Sequence, residues 1–433
     1  MRIKTSLACL LLFVTAVARY WVYDRTEVVR HDPESVRLAR SLAETGQFAN
    51  PFVPLDTGPS AHTAPALPAL LALLMRVFGD GITGMYAIKF TAVLVLSVQL
   101  ALFPVFSRLL GMGEWNGIIG AILWIAAAVG TGAARGHQPT PMFVWESLYA
   151  AILVAVAVCS FRRYLDVPLV DSSRPAWLLG CATGILMLTC PTGGVIFVGF
   201  IGLLLWKDKM DIFKNSRLVI IMLLPAVIVA PWIIRNFLVF DRFILVRDNL
   251  GLELAVSNND CAMFGIQQNI QSECFAKVHP NANIDEARRV LANGEPTYND
   301  LRLREALHWI NTHPARFFRL CALRVAAFWM PPRDRGPYSL LGRGRTSERI
   351  ALYLMTPLSL AGLFILYRRD ILSWLVCLIC LGLFPLIYYT VQYEYRYRYP
   401  ILWLTFLLGS LPITAFAQRT YHFLSSRLRS APA

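Results

Sequence analysis

The feature that most constrains this chain is its series of long apolar runs. Residues 219–229 and 371–389 are almost unbroken apolar stretches, approaching the roughly 20 residues a helix needs to cross a bilayer. Backbone placed in lipid must satisfy its own hydrogen bonds, so such runs fold as helices. The composition points the same way, with 56% of the 433 residues hydrophobic and only 16% charged, against about 25% charged in an ordinary soluble domain. These features exclude a soluble globular domain and predict an all-α polytopic membrane protein.

Periodicity and length predict ten spans, near 6–23, 84–107, 115–133, 143–161, 176–190, 192–206, 218–236, 350–367, 371–390 and 400–417. The apolar segment 64–78 reaches only about 22 Å at 1.5 Å per residue and opens with Pro65 and Pro68, so it reads as an interfacial helix. Charge bookkeeping supports that choice. With ten spans, Arg108, Arg162, Arg163, the basic stretch 207–217, Arg368, Arg369 and the tail 419–429 all share the cytoplasmic side. Counting 64–78 as a full span would move Arg162 and Arg163 outside. The start, Met1-Arg2-Ile3-Lys4 followed by an apolar stretch and Ala16-Val17-Ala18, has the form of a secretory signal. Apolar character continues to Tyr23, so an uncleaved first span is expected.

The formal charge of +14 would suggest nucleic acid in a soluble chain. Here the basic residues sit in short connections between apolar runs, where anionic headgroups attract them. Membrane lipids are therefore the expected partner, and nucleic acid is not.

Three polar segments face the exterior in this topology: a first loop at 24–63, a turn at 134–141 and a loop of about 110 residues at 237–346. The third is too long for a connector and should fold as a small, partly helical unit. Within it, 300–312 has the spacing of an amphipathic helix ended by His313-Pro314. The stretch 316–330 is apolar but carries Arg319 and Arg324, which predicts a helix along the surface or crossing only partly, stopped by Pro331-Pro332. The division expected is a membrane core at 1–236, including the outer loop region 24–83, the outer unit at 237–346, and C-terminal spans at 347–433. Of nine cysteines, only Cys261 and Cys274 lie in a polar stretch. An oxidising compartment would let them close a small loop, worth about 3 kcal/mol in the chain-entropy description. No Cys or His cluster has zinc spacing, and no glycine-rich phosphate loop follows a strand.

Ionisable residues are sparse within the spans and concentrate at their outer edge, which points to chemistry at the outer face. The first loop holds His31-Asp32-Pro33-Glu34 before a short amphipathic helix running to Gly46. Asp32 suits the N-cap and Pro33 the first turn, so the acidic pair has an ordinary structural use. Its alternative use is as a general base facing a cleft at the membrane edge. Spacing alone does not choose between them.

The order of first span, acidic short helix, Gly46-Gln47-Phe48, Thr57-Gly58-Pro59 through His62-Thr63-Ala64-Pro65, and an apolar helix to Phe78-Gly79 resembles the GT-C superfamily of lipid-dependent glycosyltransferases. It is most similar to bacterial members of the dolichyl-phosphate-mannose-protein mannosyltransferase type (family 39), relatives of the aminoarabinose transferases. Trp145-Glu146, Leu188-Thr189-Cys190-Pro191, Pro231-Trp232 through Arg235-Asn236, and Arg247-Asp248-Asn249-Leu250-Gly251-Leu252-Glu253-Leu254 continue the resemblance. His279-Pro280-Asn281, Gly294-Glu295, His313-Pro314 and Arg396-Tyr397-Arg398-Tyr399-Pro400 extend it over nearly the whole chain.

The resemblance implies a GT-C type fold of nine to twelve spans in a bacterial inner membrane. It implies inverting transfer of one sugar from a polyprenyl-phosphate donor to an acceptor hydroxyl on the extracytoplasmic side; the acceptor's identity, protein, lipid or glycan, stays open. The general base carries over to Asp32 or Glu34, which the family's adjacent Asp-Glu pair would leave unsplit by a proline. Glu146 matches an acidic residue near the active site. Arg235, Arg247 and Arg396 are placed to meet the leaving phosphate, Arg235 first among them, because a planar guanidinium binds phosphate oxygens in two places. His62 is a candidate contact for phosphate or acceptor. No obligatory cofactor or metal is expected, although some GT-C relatives use a divalent cation. Tyr393, Tyr395, Tyr397 and Tyr399 read as an interfacial aromatic belt.

Other classes fit less well. A transporter or flippase of a lipid-linked saccharide would show repeats and a second broken helix, and only the break at Pro191 is visible. A ligase or polymerase drawing on a diphosphate-linked glycan would rely chiefly on outer-face arginines. A non-catalytic scaffold would tolerate loss of both first-loop carboxylates. The interfacial helix and the outer unit are expected to roof a cavity open sideways to lipid.

Overall fold

The computed structural model describes residues 5–22, 33–129, 142–166, 172–208, 216–332 and 346–430. Among them the chain is helical, with isolated bridges Ala49 to Pro59 and Gly265 to Tyr393 in place of any strand ladder. The first half comprises α1 (Thr5–Val22), α2 (Glu34–Thr45), α3 (Ala66–Phe78), α4 (Ile82–Ala101), α5 (Phe103–Leu109), α6 (Glu114–Ala127), α7 (Glu146–Asp166), α8 (Arg174–Thr189), α9 (Gly194–Asp208) and α10 (Ser216–Phe240). The segment expected to form the outer unit follows as α11 (Leu250–Ser257), α12 (Ile266–Gln271), α13 (Cys274–Val278), α14 (Ile284–Asn293), α15 (Glu295–Thr312) and α16 (Pro314–Trp329). The chain closes with α17 (Thr346–Arg369), α18 (Ile371–Leu383) and α19 (Tyr399–Ser430).

Among the described residues six helices are long and apolar enough to cross a membrane, and α1, α3, α6 and α9 are shorter apolar helices. Each of the ten expected spans falls on a helix. The span expected at 84–107 is two helices, because Pro104 in the first turn of α5 lacks the N–H that α4 would need to continue. The turn expected at 134–141 lies outside the described residues.

The bundle is held by close backbone approach as much as by side-chain volume. A Cβ on Gly362 of α17 would stand 1.9 Å from the Leu408 carbonyl oxygen of α19, so only glycine lets these two long helices touch. Trp124 of α6 is buried against Phe103, Tyr399 and Phe406. Large apolar side chains such as Val198, Trp206, Leu238 and Phe416 face outward, as they must on a surface solvated by lipid tails.

The outer unit differs from expectation in two places. The helix expected at 300–312 starts at Glu295, because Gly294 (φ +74°) turns the chain there and Pro296 fits the first helical turn. The element at 316–330 is α16, and its Arg324 is fully buried rather than at a headgroup surface. Its guanidinium donates to Asn258 Oδ1 (3.1 Å), the Thr390 carbonyl (2.8 Å) and the Ser257 carbonyl. A buried charge is tolerable only with such partners, so Arg324 ties α16 to the end of α11. The unit has a small core of Leu252, Val256, Val290 and Tyr298, completed by Phe52 from the first loop. Cys261 and Cys274 are joined in a disulfide.

Tyr395 and Tyr399 are buried inside the bundle rather than set in an interfacial belt. Tyr395 donates to Glu348, and Tyr397 stacks on Tyr388 at 4.5 Å. Four aromatics at alternate positions look like a belt, but the 3-10 turn at 395–398 buries Tyr395 and leads Tyr399 into the bundle, leaving Tyr393 and Tyr397 half-buried.

Candidate functional site

The site is built on the N-terminus of α2. Pro33 is its N-cap and Glu34 its first residue, so the cap falls one residue later than the expected Asp32. Asp32 itself lies outside the described residues. The other end of α2 is locked from several sides. Gly46, at φ +75°, turns the chain left-handed and donates to the Leu42 carbonyl. Arg76 of α3 donates to the Leu42 and Ala43 carbonyls at 2.8 and 3.1 Å, Arg40 pairs with Asp80 at 2.6 Å, and Arg37 donates to the Phe52 carbonyl. A helix tied this firmly at its C-terminus points its first carboxylate in a fixed direction.

Glu34 meets three side chains. Asn281 Nδ2 donates to Oε1 at 2.7 Å, His62 Nε2 lies 3.4 Å from Oε2, and His279 Nε2 lies 3.9 Å from Oε1. Phe52 stands edge-on to both imidazoles, at 5.1 and 6.3 Å. The amide of Asn281 donates to His279 Nδ1 at 3.0 Å, which places the proton of a neutral His279 on Nε2, toward Glu34. Burial disfavours the charged form of all three groups, and the pair resolves the competition. His62 holds Glu34 down at about 2 despite burial, Glu34 pulls His62 above the usual histidine range, and burial leaves His279 at about 4. The result is a carboxylate paired with one imidazolium and flanked by one neutral imidazole. About a quarter of the Glu34 side chain (25%) remains exposed, so it can still meet a ligand.

The loop bearing His62 is clamped one residue earlier. The Ala61 amide donates to Glu295 Oε1 at 2.6 Å, and its carbonyl accepts from the Asp248 amide at 2.8 Å. Glu295 is buried, which raises it to about 7 against the pull of His62, Ser60 and the Ala61 amide.

A second group of charges faces the same region. Glu146 opens α7 and lies 3.5 Å from Arg247, while Arg396 pairs with Glu394 at 2.7 Å. Glu253 of α11 is raised by burial and sits in the combined field of Arg247, His62, Glu34 and Arg396. Arg396 also acts on Glu34, and Arg247 on His62. The break between α8 and α9, a 3-10 turn at Pro191–Gly193, brings in Thr192, which bonds Tyr388 at 2.8 Å. The acidic end and the arginine end are thus one electrostatic unit.

Arg235 has a different place. Its guanidinium donates to the Ser60 carbonyl (2.8 Å), the Phe48 carbonyl (3.0 Å) and Asn236 Oδ1 (3.0 Å), and it rests over the Trp232 ring at 4.8 Å. These contacts make it a brace for the first loop. Sequence reasoning gave no role to His279, Asn281, Glu253 or Tyr388. The runs around 279–281 and 249–254 were the available signals.

Among the described residues no group of three His, Cys, Asp or Glu side chains is arranged to hold a metal ion, and His62 is drawn toward its cationic form.

The structure superposes on the archaeal oligosaccharyltransferase AglB from Archaeoglobus fulgidus bound to an inhibitory peptide and a dolichol-phosphate, with a TM-score of 0.56 over 99% of this chain and 13% identity. The apo form of the Archaeoglobus fulgidus oligosaccharyltransferase gives 0.57 over 99%, also at 13% identity. This chain has the GT-C fold. At that identity the likeness is one of fold. The chain spans about half of the neighbour's length (52%). ArnT from Cupriavidus metallidurans bound to undecaprenyl phosphate matches at a TM-score of 0.39, with 12% identity, over 95% of this chain and 78% of that one, too loose to carry an argument. No family model matches the sequence, and no curated protein matches it. Within the GT-C fold, α2 and the outer unit together frame the acidic and basic halves of the site.

Proposed function

We propose that this protein is a membrane glycosyltransferase that moves a sugar from a polyprenyl-phosphate donor to an acceptor hydroxyl at the outer, extracytoplasmic face, with inversion. The observation that carries the reading is one electrostatic cluster in which an ionised, partly exposed Glu34 stands on one side and Arg247 with Arg396 on the other. Transfer from a phosphate ester needs that separation: a base at the acceptor and cations at the leaving group. The fold adds weight, because its archaeal neighbour holds a dolichol-phosphate and a peptide together.

The acceptor oxygen attacks the anomeric carbon from the face opposite the phosphate, and the carbon to phosphate-oxygen bond breaks as the new bond forms. The electron pair leaves with the polyprenyl phosphate, whose added negative charge falls to Arg247 and Arg396. The acceptor proton passes to Glu34. His62 and Asn281 hold the carboxylate in place, and Glu146 and Glu394 hold the two arginines before the donor arrives.

The test is sugar transfer in membranes supplied with radiolabelled polyprenyl-phosphate sugars, comparing wild type with Glu34→Gln and Asp32→Asn. Loss of about 10²- to 10⁴-fold in Glu34→Gln, with folded protein retained, is the expected result. Wild-type rates in Glu34→Gln would remove Glu34 from the reaction. No transfer by folded wild type from any such donor would favour the transporter or diphosphate-donor alternative.

A further inference from the structure

A basic groove lies far from the Glu34 and Arg247 cluster, between the ends of α17 and α19. The two helices border an open groove of about 400 Å³ lined by Phe364, Arg368, Arg369, Pro412, Phe416 and Arg419, among others. Its place along the bundle follows from helix geometry. Arg419 is twenty positions beyond Tyr399, about 30 Å at 1.5 Å per residue, which is the thickness of a bilayer's hydrocarbon core. Tyr399 begins α19 directly after the site residue Arg396. The groove therefore opens at the opposite membrane edge.

Three guanidinium groups meet an apolar wall there, and among the described residues no carboxylate lines the groove with them. Arg368 lies over the Phe364 ring at 5.3 Å, while Arg369 and Arg419 have no hydrogen bond or ion pair among the described residues. The adjacent acid is already engaged: Asp370 accepts from Arg162 at 2.8 Å and caps α18 through the Leu372 and Ser373 amides. Phe364 and Phe416 are 59% and 74% exposed, an aromatic face that lipid tails would cover. A volume of this size lies within the range of small-molecule sites, about 300–1,000 Å³.

We infer that this groove is a specific site for an anionic glycerophospholipid, with the phosphate between Arg369 and Arg419 and the acyl chains along Phe364, Pro412 and Phe416. A phosphate diester supplies the negative charge the arginines lack, and two acyl chains supply the apolar contact the aromatics lack. A basic pocket between spanning helices is the arrangement that recognises such headgroups. A bound lipid would also bridge α17 and α19, the pair whose contact depends on Gly362.

The experiment is native mass spectrometry of the full-length chain in detergent, titrated with phosphatidylglycerol, with phosphatidylcholine of identical acyl chains, and with inorganic phosphate. The expected result is saturable retention of one phosphatidylglycerol, with much weaker retention of the other two. Affinity should fall about fivefold for each of Arg369→Gln and Arg419→Gln, while Arg419→Lys keeps most of it. Equal retention of phosphatidylcholine, or undiminished phosphatidylglycerol binding in the double Gln variant, would overturn the inference. Tight binding of inorganic phosphate would reassign the site to a free anion. Both arginines are exposed, so their variants should keep the wild-type unfolding temperature, which separates lost binding from lost fold.

Discussion

Glu295→Gln should stabilise the protein at alkaline pH, and the size of the effect follows from the site. The Glu295 carboxyl is buried, with Oε1 accepting from the Ala61 amide at 2.6 Å and the Ser60 hydroxyl beside it. Burial raises it from an ordinary 4.5 to about 7. A folded-state pKa raised above the unfolded value contributes stability that is fully present below the unfolded pKa and is lost as pH rises through the folded one. The window is therefore pH 4.5 to 7. The shift of roughly 2.5 units, at about 1.4 kcal/mol each, amounts to about 3 kcal/mol lost by pH 8.

Glutamine keeps an oxygen for the Ala61 amide and has no proton to lose. Its unfolding free energy in mixed micelles should match wild type near pH 4.5 and exceed it by up to about 3 kcal/mol at pH 8. Subtracting the two curves removes what both proteins share of the Glu34 and His62 pair and leaves Glu295's own titration together with its pull on His62. Glu295→Ala separates charge from hydrogen bonding: it strands the amide, costing about 1–3 kcal/mol at every pH. A difference curve that stays flat between pH 4.5 and 8 would refute the reasoning, as would a glutamine variant weaker than wild type at pH 8.

Other perturbations separate chemistry from scaffolding. Arg247→Gln should lower kcat about 10²- to 10³-fold, the usual cost of a lost donor to developing negative charge, with an unchanged unfolding temperature. Arg235→Gln should do the reverse, lowering the unfolding temperature while folded protein keeps kcat within a few-fold, because its donors serve the Ser60 and Phe48 carbonyls. The opposite pattern for the pair, measured by transfer assays on folded protein, would exchange their roles. Reduction of the Cys261 to Cys274 bridge, or Ser at both positions, should cost about 3 kcal/mol for a loop closed over 13 positions, read as lower unfolding stability in reductant.

The spans were legible because lipid leaves the backbone few choices, and an apolar run of sufficient length declares itself. Their ends were less so, since Pro104 splits a run that hydropathy reads as continuous. Glu34, His62, Glu146, Arg247 and Arg396 stand out as polar residues at the edges of apolar helices. Their partners do not. Asn281 reaches Glu34 across 247 positions, and His279 and Glu253 arrive with the outer unit, whose placement depends on Phe52 completing a core with Val256 and Tyr298. Arg235 shows the reverse case. A cation beside a tryptophan at a helix end looks like a phosphate or headgroup ligand, and only the positions of the Ser60 and Phe48 carbonyls reveal a brace.

The environment of Glu34 also bears on how the proton moves. A carboxylate held at about 2 is far too weak a base to ionise an alcohol, which is about as weak an acid as water. It can accept the proton only late, once bonding to the anomeric carbon has made the acceptor oxygen acidic. What the site supplies is a carboxylate that is charged at every working pH and fixed in direction by His62 and Asn281. The pH profile of kcat should then show no acid limb at 4.5, where an unperturbed glutamate titrates. Its alkaline limb should come from His62, which Glu34 raises above the usual histidine value of 6.5. Once that imidazolium deprotonates, Glu34 loses its ion pair and its aim. His62→Gln should abolish that limb while leaving a lower, flatter rate. An acid limb at 4.5 in wild type, or an alkaline limb unchanged in His62→Gln, would show that the two residues do not act as a pair.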